Sequence, residues 1–299
     1  MALALSCAFV LDAQTTAEEY SARYDLLLNK LGPTGVGIET LIEKWENDFP
    51  DDKNMLVAKF SFYLSKSQSV DLELKDADKY LGMLPALALQ DSLGNPLNYF
   101  QVVNHDDDLF SIASQTIDKA IKLYPTSLEL RFYKITSLLN YEGESPDMAT
   151  LAIKSLIDYH VVSHPLWTYG DSIPDDDFFC TAIQEYCYTL FSNGTPSSLE
   201  AFKSISEKMT SIYPQSVLFL DNLGSYYLVN KDNKTANKYF TKALKLDETD
   251  NTAIKNSLLI ARSDKNVKLE KKYLQMLSRF GESETDRESA KIRLQALSK

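Results

Sequence analysis

Apolar side chains recur at three- and four-residue intervals along almost the whole 299-residue chain, which is the spacing of amphipathic helices. The pattern stops and restarts at a repeated punctuation: Phe49-Pro50-Asp51-Asp52, Tyr124-Pro125-Thr126-Ser127 and Tyr213-Pro214-Gln215-Ser216. Proline has no amide hydrogen with which to continue a helix, and the Asp or Ser that follows supplies an oxygen for the first free amides of the next one. Leu246-Asp247-Glu248-Thr249-Asp250 is a proline-free version of the same stop. These stops predict helical hairpins at about 17–49, 52–84, 127–161, 176–213, 217–247 and 250–280, with a further helix at about 107–124. A last helix is expected over 283–298, where Arg287, Glu288, Lys291 and Arg293 surround a narrow stripe of Ala290, Leu294 and Leu297. Such a helix suits a polar cap on the open end of an array.

Two stretches interrupt the helical pattern. In 85–103, two short apolar runs flank Gly94-Asn95-Pro96, which predicts a β-hairpin insertion. Residues 161–176 hold His164, Pro165, Trp167, Tyr169 and Pro174 in a loop longer than a helical hairpin needs, and loops of that length inside compact arrays are often functional.

The stretch 217–250 is more specific. Leu220, Leu223, Gly224 and Tyr227 fall at the spacing W-x2-L-G-x2-Y, and Ala236, Phe240 and Ala243 follow at A-x3-F-x2-A. The small residues sit where paired helices approach closely, and the large ones fill the space that remains. This stretch resembles the tetratricopeptide repeat, with Leu220 in place of the family's Trp and Glu248 in place of its usual Pro. The resemblance extends to a second repeat at 251–280, and by punctuation alone to 17–213. The residues at 38–66, 80–110 and 146–222 are also similar to those of exported tetratricopeptide-like proteins of Bacteroidetes-type bacteria, a family without an assigned activity. The expected fold is therefore all-α: a right-handed α–α superhelix forming a single solenoid over 14–299, with a small β-hairpin insertion.

Charge narrows the functions. The net charge of −11 argues against nucleic acid, which needs clustered Lys and Arg. The charge is uneven: residues 201–299 carry 18 basic and 12 acidic side chains, against 13 and 30 in residues 1–200. Drift between solvated helix faces and an electrostatic binding surface are both open readings. Ala2–Leu11 is an apolar run, followed by a possible cleavage point before Gln14, so residues 1–13 read as the remnant of an export signal that lacks a basic start. The alternative is that they pack as part of a first helix. Export implies a periplasmic or secreted protein; retention implies a cytoplasmic one. Ala4-Leu5-Ser6 before Cys7 does not suit lipid attachment, and no stretch reaches the ~20 apolar residues of a membrane span. Cys180 and Cys187, roughly 10 Å apart on one helix, are too distant for a disulfide.

Catalytic chemistry finds few parts. His160 and His164 have i, i+4 spacing, but no third ligand accompanies them and Pro165 ends the helix there. Asp106–Asp108 and Asp175–Asp177 could be read as paired carboxylates or a calcium site; each run directly precedes an apolar helical segment, where acidic residues cap and complement the helix dipole. The chain is thus expected to be no enzyme, with no catalytic residue, metal ligand or cofactor assigned. The resemblance implies a concave groove lined by first helices, in which an Asn two residues before the conserved Gly grips the backbone of an extended peptide. Asn222 holds that position, Asn256 is its equivalent one repeat on, and Asp221 and Ser225 would share the exposed face. Thr252 and Asn256 stand where a chaperone-tail clamp would have Lys and Arg. The expected function is a scaffold that binds a protein or peptide partner; Asn222 as a plain solvated helix residue stays open. The alternatives are a glycan or small-molecule binding accessory protein using Trp167 and Tyr169, or an enzyme using the 161–177 loop.

Overall fold

The computed structural model of the protein describes residues 15–298, so the expected export segment at 1–13 lies outside the described residues. The described chain is mostly helical, with one small three-stranded sheet. It divides into two compact units: residues up to Asp71 with Val102–Ser137 and Thr168–Gly170, and Leu72–Gln101 with Leu138–Trp167 and everything from Asp171 onward.

The first unit contains α1 (Ala17–Leu31), α2 (Ile38–Asp48), α3 (Lys53–Ser67), α4 (Asp107–Leu123) and the start of α5 (Leu128–Glu142). Side chains cap α1, α3 and α4, whereas Gly37 gives α2 no side-chain cap and Ser216 of the Tyr213-Pro214 punctuation makes no cap bond. Thr16 and Glu19 form a reciprocal capping box, Asp52 accepts from the Met55 amide at 2.8 Å, and Asp106 accepts from the Leu109 amide at 2.9 Å. The core gathers Ile42, Trp45, Met55, Phe60 and Phe62 with Ala113 and Ile117 of α4. Tyr20 stacks on Trp45 at 5.9 Å while its hydroxyl donates to Asp48 at 2.6 Å, so a large ring is buried without stranding its polar tip.

One expected hairpin is not there. The second helix anticipated within 52–84 is absent: α3 ends at Ser67 and the chain continues as strand β1 (Gln68–Lys75). Val70, Leu72 and Leu74 alternate with Asp71, Glu73 and Lys75, a period of two that overrides the helical reading. The hairpin expected over 85–103 is present as β2 (Leu87–Gln90) and β3 (Pro96–His105), antiparallel with Leu87 opposite Tyr99 and Leu89 opposite Leu97. Its turn is held by the Asp91 carboxylate, which accepts from the amides of Leu93 and Asn95 at 2.8 Å each. β3 is central and β1 lies on its other side.

The second unit contains α6 (Asp147–Ser163), α7 (Asp176–Asn193), α8 (Pro196–Ile212), α9 (Val217–Val229), α10 (Asn233–Leu246), α11 (Asn251–Ser263), α12 (Val267–Phe280) and α13 (Glu284–Ala296). The hairpins α9–α10 and α11–α12 repeat each other in detail. Lys231 and Lys265 occupy equivalent turns with φ of 63° and 53°, and Asp232 and Asn266 then cap α10 and α12. The amides of Asp232 and Asn266 donate back to Tyr227 and Ala261 carbonyls at 2.9 and 2.8 Å. A left-handed lysine costs about 1 kcal/mol, so its recurrence one repeat later marks a shared turn geometry. On α13, Ala290 is buried and Arg293 donates at 2.9 Å to Glu270 of α12, which also accepts from Arg262 at 3.2 Å. The Arg293 hydrogen bond, ahead of that from Arg262, holds the Glu270 carboxyl below the usual carboxylate range.

Within α9–α10 the helices meet where the repeat pattern places its glycine. A Cβ on Gly224 would lie 2.5 Å from Cε1 of Phe240, whose ring is fully buried and has nowhere to swing. Replacing glycine by alanine inside a helix ordinarily gains ~0.5–1 kcal/mol. Here the overpacking cost of ~1–3 kcal/mol outweighs that gain. Gly224→Ala is therefore expected to lower the thermal midpoint, and Phe240→Leu in the same chain to recover part of the loss. A midpoint that rises with Gly224→Ala alone would mean the ring has room.

Candidate functional site

α9 and α11 position the residues singled out for a groove, and the second unit buries several of them. Asn222 is only 6% exposed. Its amide exchanges two hydrogen bonds with Gln184 of α7, donating at 2.6 Å and accepting at 2.9 Å. The expectation that Asn222 projects from an exposed face is thus corrected: a helix packs over it, and both its amide groups are engaged. Asp221 is also buried. One of its oxygens has no hydrogen-bond partner, while the other side faces Asp250, the cap of α11, which accepts from the Ala253 amide at 2.7 Å. Burial, then the charge of Asp250, a hydrogen bond to it and the charge of Asp247 push the Asp221 carboxyl up to about 9. Asp221 is a neutral acid at pH 7 and can donate its proton to the capping carboxylate. Ser225 and Asn256 are half-buried, and Leu218, Val229 and Leu259 are exposed beside them.

The loop aromatics separate. Tyr169 belongs to the first unit and is 41% exposed, with its ring 5.9 Å from Phe132. Trp167 belongs to the second and is buried at 2% exposure, which removes it as a stacking platform for a sugar. Its indole N–H donates at 3.0 Å to Nδ1 of His160, whose ring stacks on Phe179 with centroids 3.8 Å apart. An indole nitrogen can only donate, so Nδ1 must accept and the neutral imidazole carries its proton on Nε2. Nε2 then donates to the Tyr213 hydroxyl at 3.0 Å, leaving the phenol's own proton free to point outward. Burial lowers the His160 pKa against the opposing pull of Asp176, and burial followed by Asp176 and Cys180 raises Tyr213 to about 12. His164 ends α6 in a left-handed conformation with φ of 43°, and no group of three metal-ligating side chains occurs among the described residues.

Tyr213 forms part of the wall of an open cavity of 610 Å³ between the start of α7 and the segment leading into α9. Asp176, Asp177 and Cys180 line one side, with Tyr213, Pro214 and Leu218 opposite. Two carboxylates and a phenolic donor stand over an apolar floor, and its lining among the described residues has no basic side chain. Burial and the two aspartates push the Cys180 thiol up to about 11, so it is a neutral, weakly nucleophilic group. Cys180 and Cys187 are free thiols, matching the spacing argument. Sequence reasoning weighed a carboxylate site at Asp175–Asp177 against helix capping, but it read Tyr213-Pro214 as punctuation alone and had no means of bringing the two segments together. Asp175 does cap α7, accepting from the Phe178 amide at 2.8 Å, but Asp176 and Asp177 are left over from that task.

Compared with known proteins, the chain matches no family model and no curated protein.

The buried amide pair generates a stability expectation. Asn222→Ala leaves Gln184 without its partner and should cost ~1–3 kcal/mol in chemical denaturation of the ligand-free protein. Full retention of stability would mean the pair is not formed in solution. The Asp221 carboxyl generates a second expectation. Between its unfolded titration near ~4 and its folded value of about 9, the folded state holds an extra proton, so stability falls as pH rises through that window. Asp221→Asn keeps a donor without a titrating proton, and its thermal midpoint should decline less than the wild type's from pH 5 to 9. Parallel declines would place the Asp221 proton elsewhere.

Proposed function

We propose that this chain is a non-enzymatic binding scaffold of the tetratricopeptide type, a right-handed α–α superhelix that holds a protein or peptide partner against α9 and α11. The observation that carries this reading is the detailed repetition of the α9–α10 hairpin in α11–α12, with Gly224 seated against Phe240 at the position where the family has its glycine. The docking residues we assign are Asn256 and Ser225, whose side chains are half-buried, together with the exposed Val229 and Leu259. Leu218 belongs both to this face and to the cavity beside Asp176 and Asp177, so an extended peptide lying along α9 could place a Lys or Arg side chain among those carboxylates. Export of the chain would bring it to that partner in the periplasm or outside the cell.

A second reading draws on the cavity alone. Its 610 Å³ lies within the ~300–1,000 Å³ range of small-molecule sites, and its charge suits a cationic ligand with an apolar stem.

The test begins with recovery of a partner from the native envelope fraction, followed by affinity measurements with two double variants. Asn256→Ala/Leu259→Ser should weaken binding about tenfold, equivalent to ~1.4 kcal/mol. Asp176→Asn/Asp177→Asn should weaken it at low salt and have less effect at high salt, because exposed charge pairs are screened. If neither variant weakens binding, the scaffold face is wrongly placed. If only the aspartate variant does, and a free amine competes, the small-ligand reading replaces it.

A further inference from the structure

The three-stranded sheet has two unlike faces. Phe100 of β3 is 1% exposed, with Tyr80 against it at 5.8 Å and Lys75 Nζ 4.7 Å over the Tyr80 ring. In the first unit, Asn104 donates to Asp71 at 2.8 Å. Both contacts place the odd-numbered residues of β1 on the Phe100 side, so Leu72 and Leu74 project from the other. Cross-strand pairing puts Leu87 with Tyr99 and Leu89 with Leu97 on that same outer face. Leu72 is 58% exposed, Leu74 53%, Leu87 45% and Leu89 46%, with Leu97 and Tyr99 half-buried between them. An antiparallel sheet that packs one face on its own core ordinarily turns polar residues outward. This one turns out leucines.

We propose that this outer sheet face is the interface of a homodimer, packed sheet to sheet against a second copy of the chain about a two-fold axis. The six side chains carry no charge, so the surface is complementary to itself, and a two-fold axis brings each leucine cluster onto its counterpart. The exposed apolar area is on the order of 400–500 Å² per copy, near the upper end for a monomer's largest patch. Two such patches with their polar margins reach the ~1,200 Å² at which stable interfaces begin, and aligned sheets pack about 10 Å apart through interdigitating side chains. A lipid surface is the poorer occupant. The next same-face positions beyond β1 and β2 are Asp76 and Asp91, and anionic headgroups call for Lys or Arg at such a margin.

Sedimentation velocity of the full chain, diluted from on the order of 100 µM to 0.1 µM, tests this directly. The wild type should sediment with twice the 33.8 kDa mass of the chain and dissociate on dilution. Leu72→Lys/Leu89→Lys should raise the dissociation constant at least about 100-fold with the helical circular-dichroism spectrum kept, since each lysine must be desolvated opposite another. Should that variant misfold, Leu72→Ser and Leu89→Ser made singly are expected to raise it about tenfold each. A wild type that stays monomeric over the whole range overturns the proposal, whether or not anionic vesicles or another protein bind the face, and so does a dimer that survives the serine substitutions unchanged.

Discussion

Every helix in this chain begins with backbone amides that no turn of its own can satisfy, and the fold depends on how they are satisfied. Thr16, Asp52, Asp106, Asp175, Thr195, Asp232, Asp250, Asn266 and Ser283 each place a side-chain oxygen on an amide of the helix that follows. Five of these nine caps are aspartates, whose negative charge also complements the helix N-terminus. Asp250 shows what such a residue can do beyond its own helix. While capping α11, it leaves its charge beside buried Asp221, which can stay in the interior only as the neutral acid.

The second unit is organised around buried polar groups that find partners on other helices. Gln184 and Asn222 join α7 to α9, and Trp167, His160 and Tyr213 form a chain of hydrogen bonds whose direction follows from the donor-only indole. Such networks rigidify a core when every member is satisfied. The last link, the Tyr213 hydroxyl, is where this interior order reaches a surface cavity, and it connects the packing of the α6–α7 region to the face of α9 where we place a partner.

The sheet follows a different logic. Its inner face closes on Phe100, while its outer face carries leucines that gain nothing from solvent. Helical repeats stabilise themselves through neighbours along the chain. Among the described residues the leucines on the outer face of the sheet stay exposed, and the second copy we propose would cover them. The surfaces we propose for a peptide and for a second copy use different elements, α9 and α11 for one and β1–β3 for the other, so the two proposals do not compete for the same residues.

What the sequence determined by itself was local. Proline, capping residues and helical spacing act within a few residues, so the starts of α1, α3, α4, α5, α7, α9, α11 and α13, the hairpin turn at Asp91–Asn95 and the close approach at Gly224 were legible in one dimension, whereas the breaks inside the hairpins were not. Tertiary structure decided what depends on partners far along the chain. β1 carries a two-residue period in its own sequence, but its pairing with β3, roughly thirty residues away, is what the tertiary structure adds. Asn222 and Trp167, both polar-tipped and both assigned to binding by position, are buried because Gln184 and His160 satisfy them, and nothing in their immediate neighbours announces those contacts. The protonation of Asp221 belongs to the same class: a carboxyl reads as charged in sequence, and only burial beside Asp250 makes it an acid.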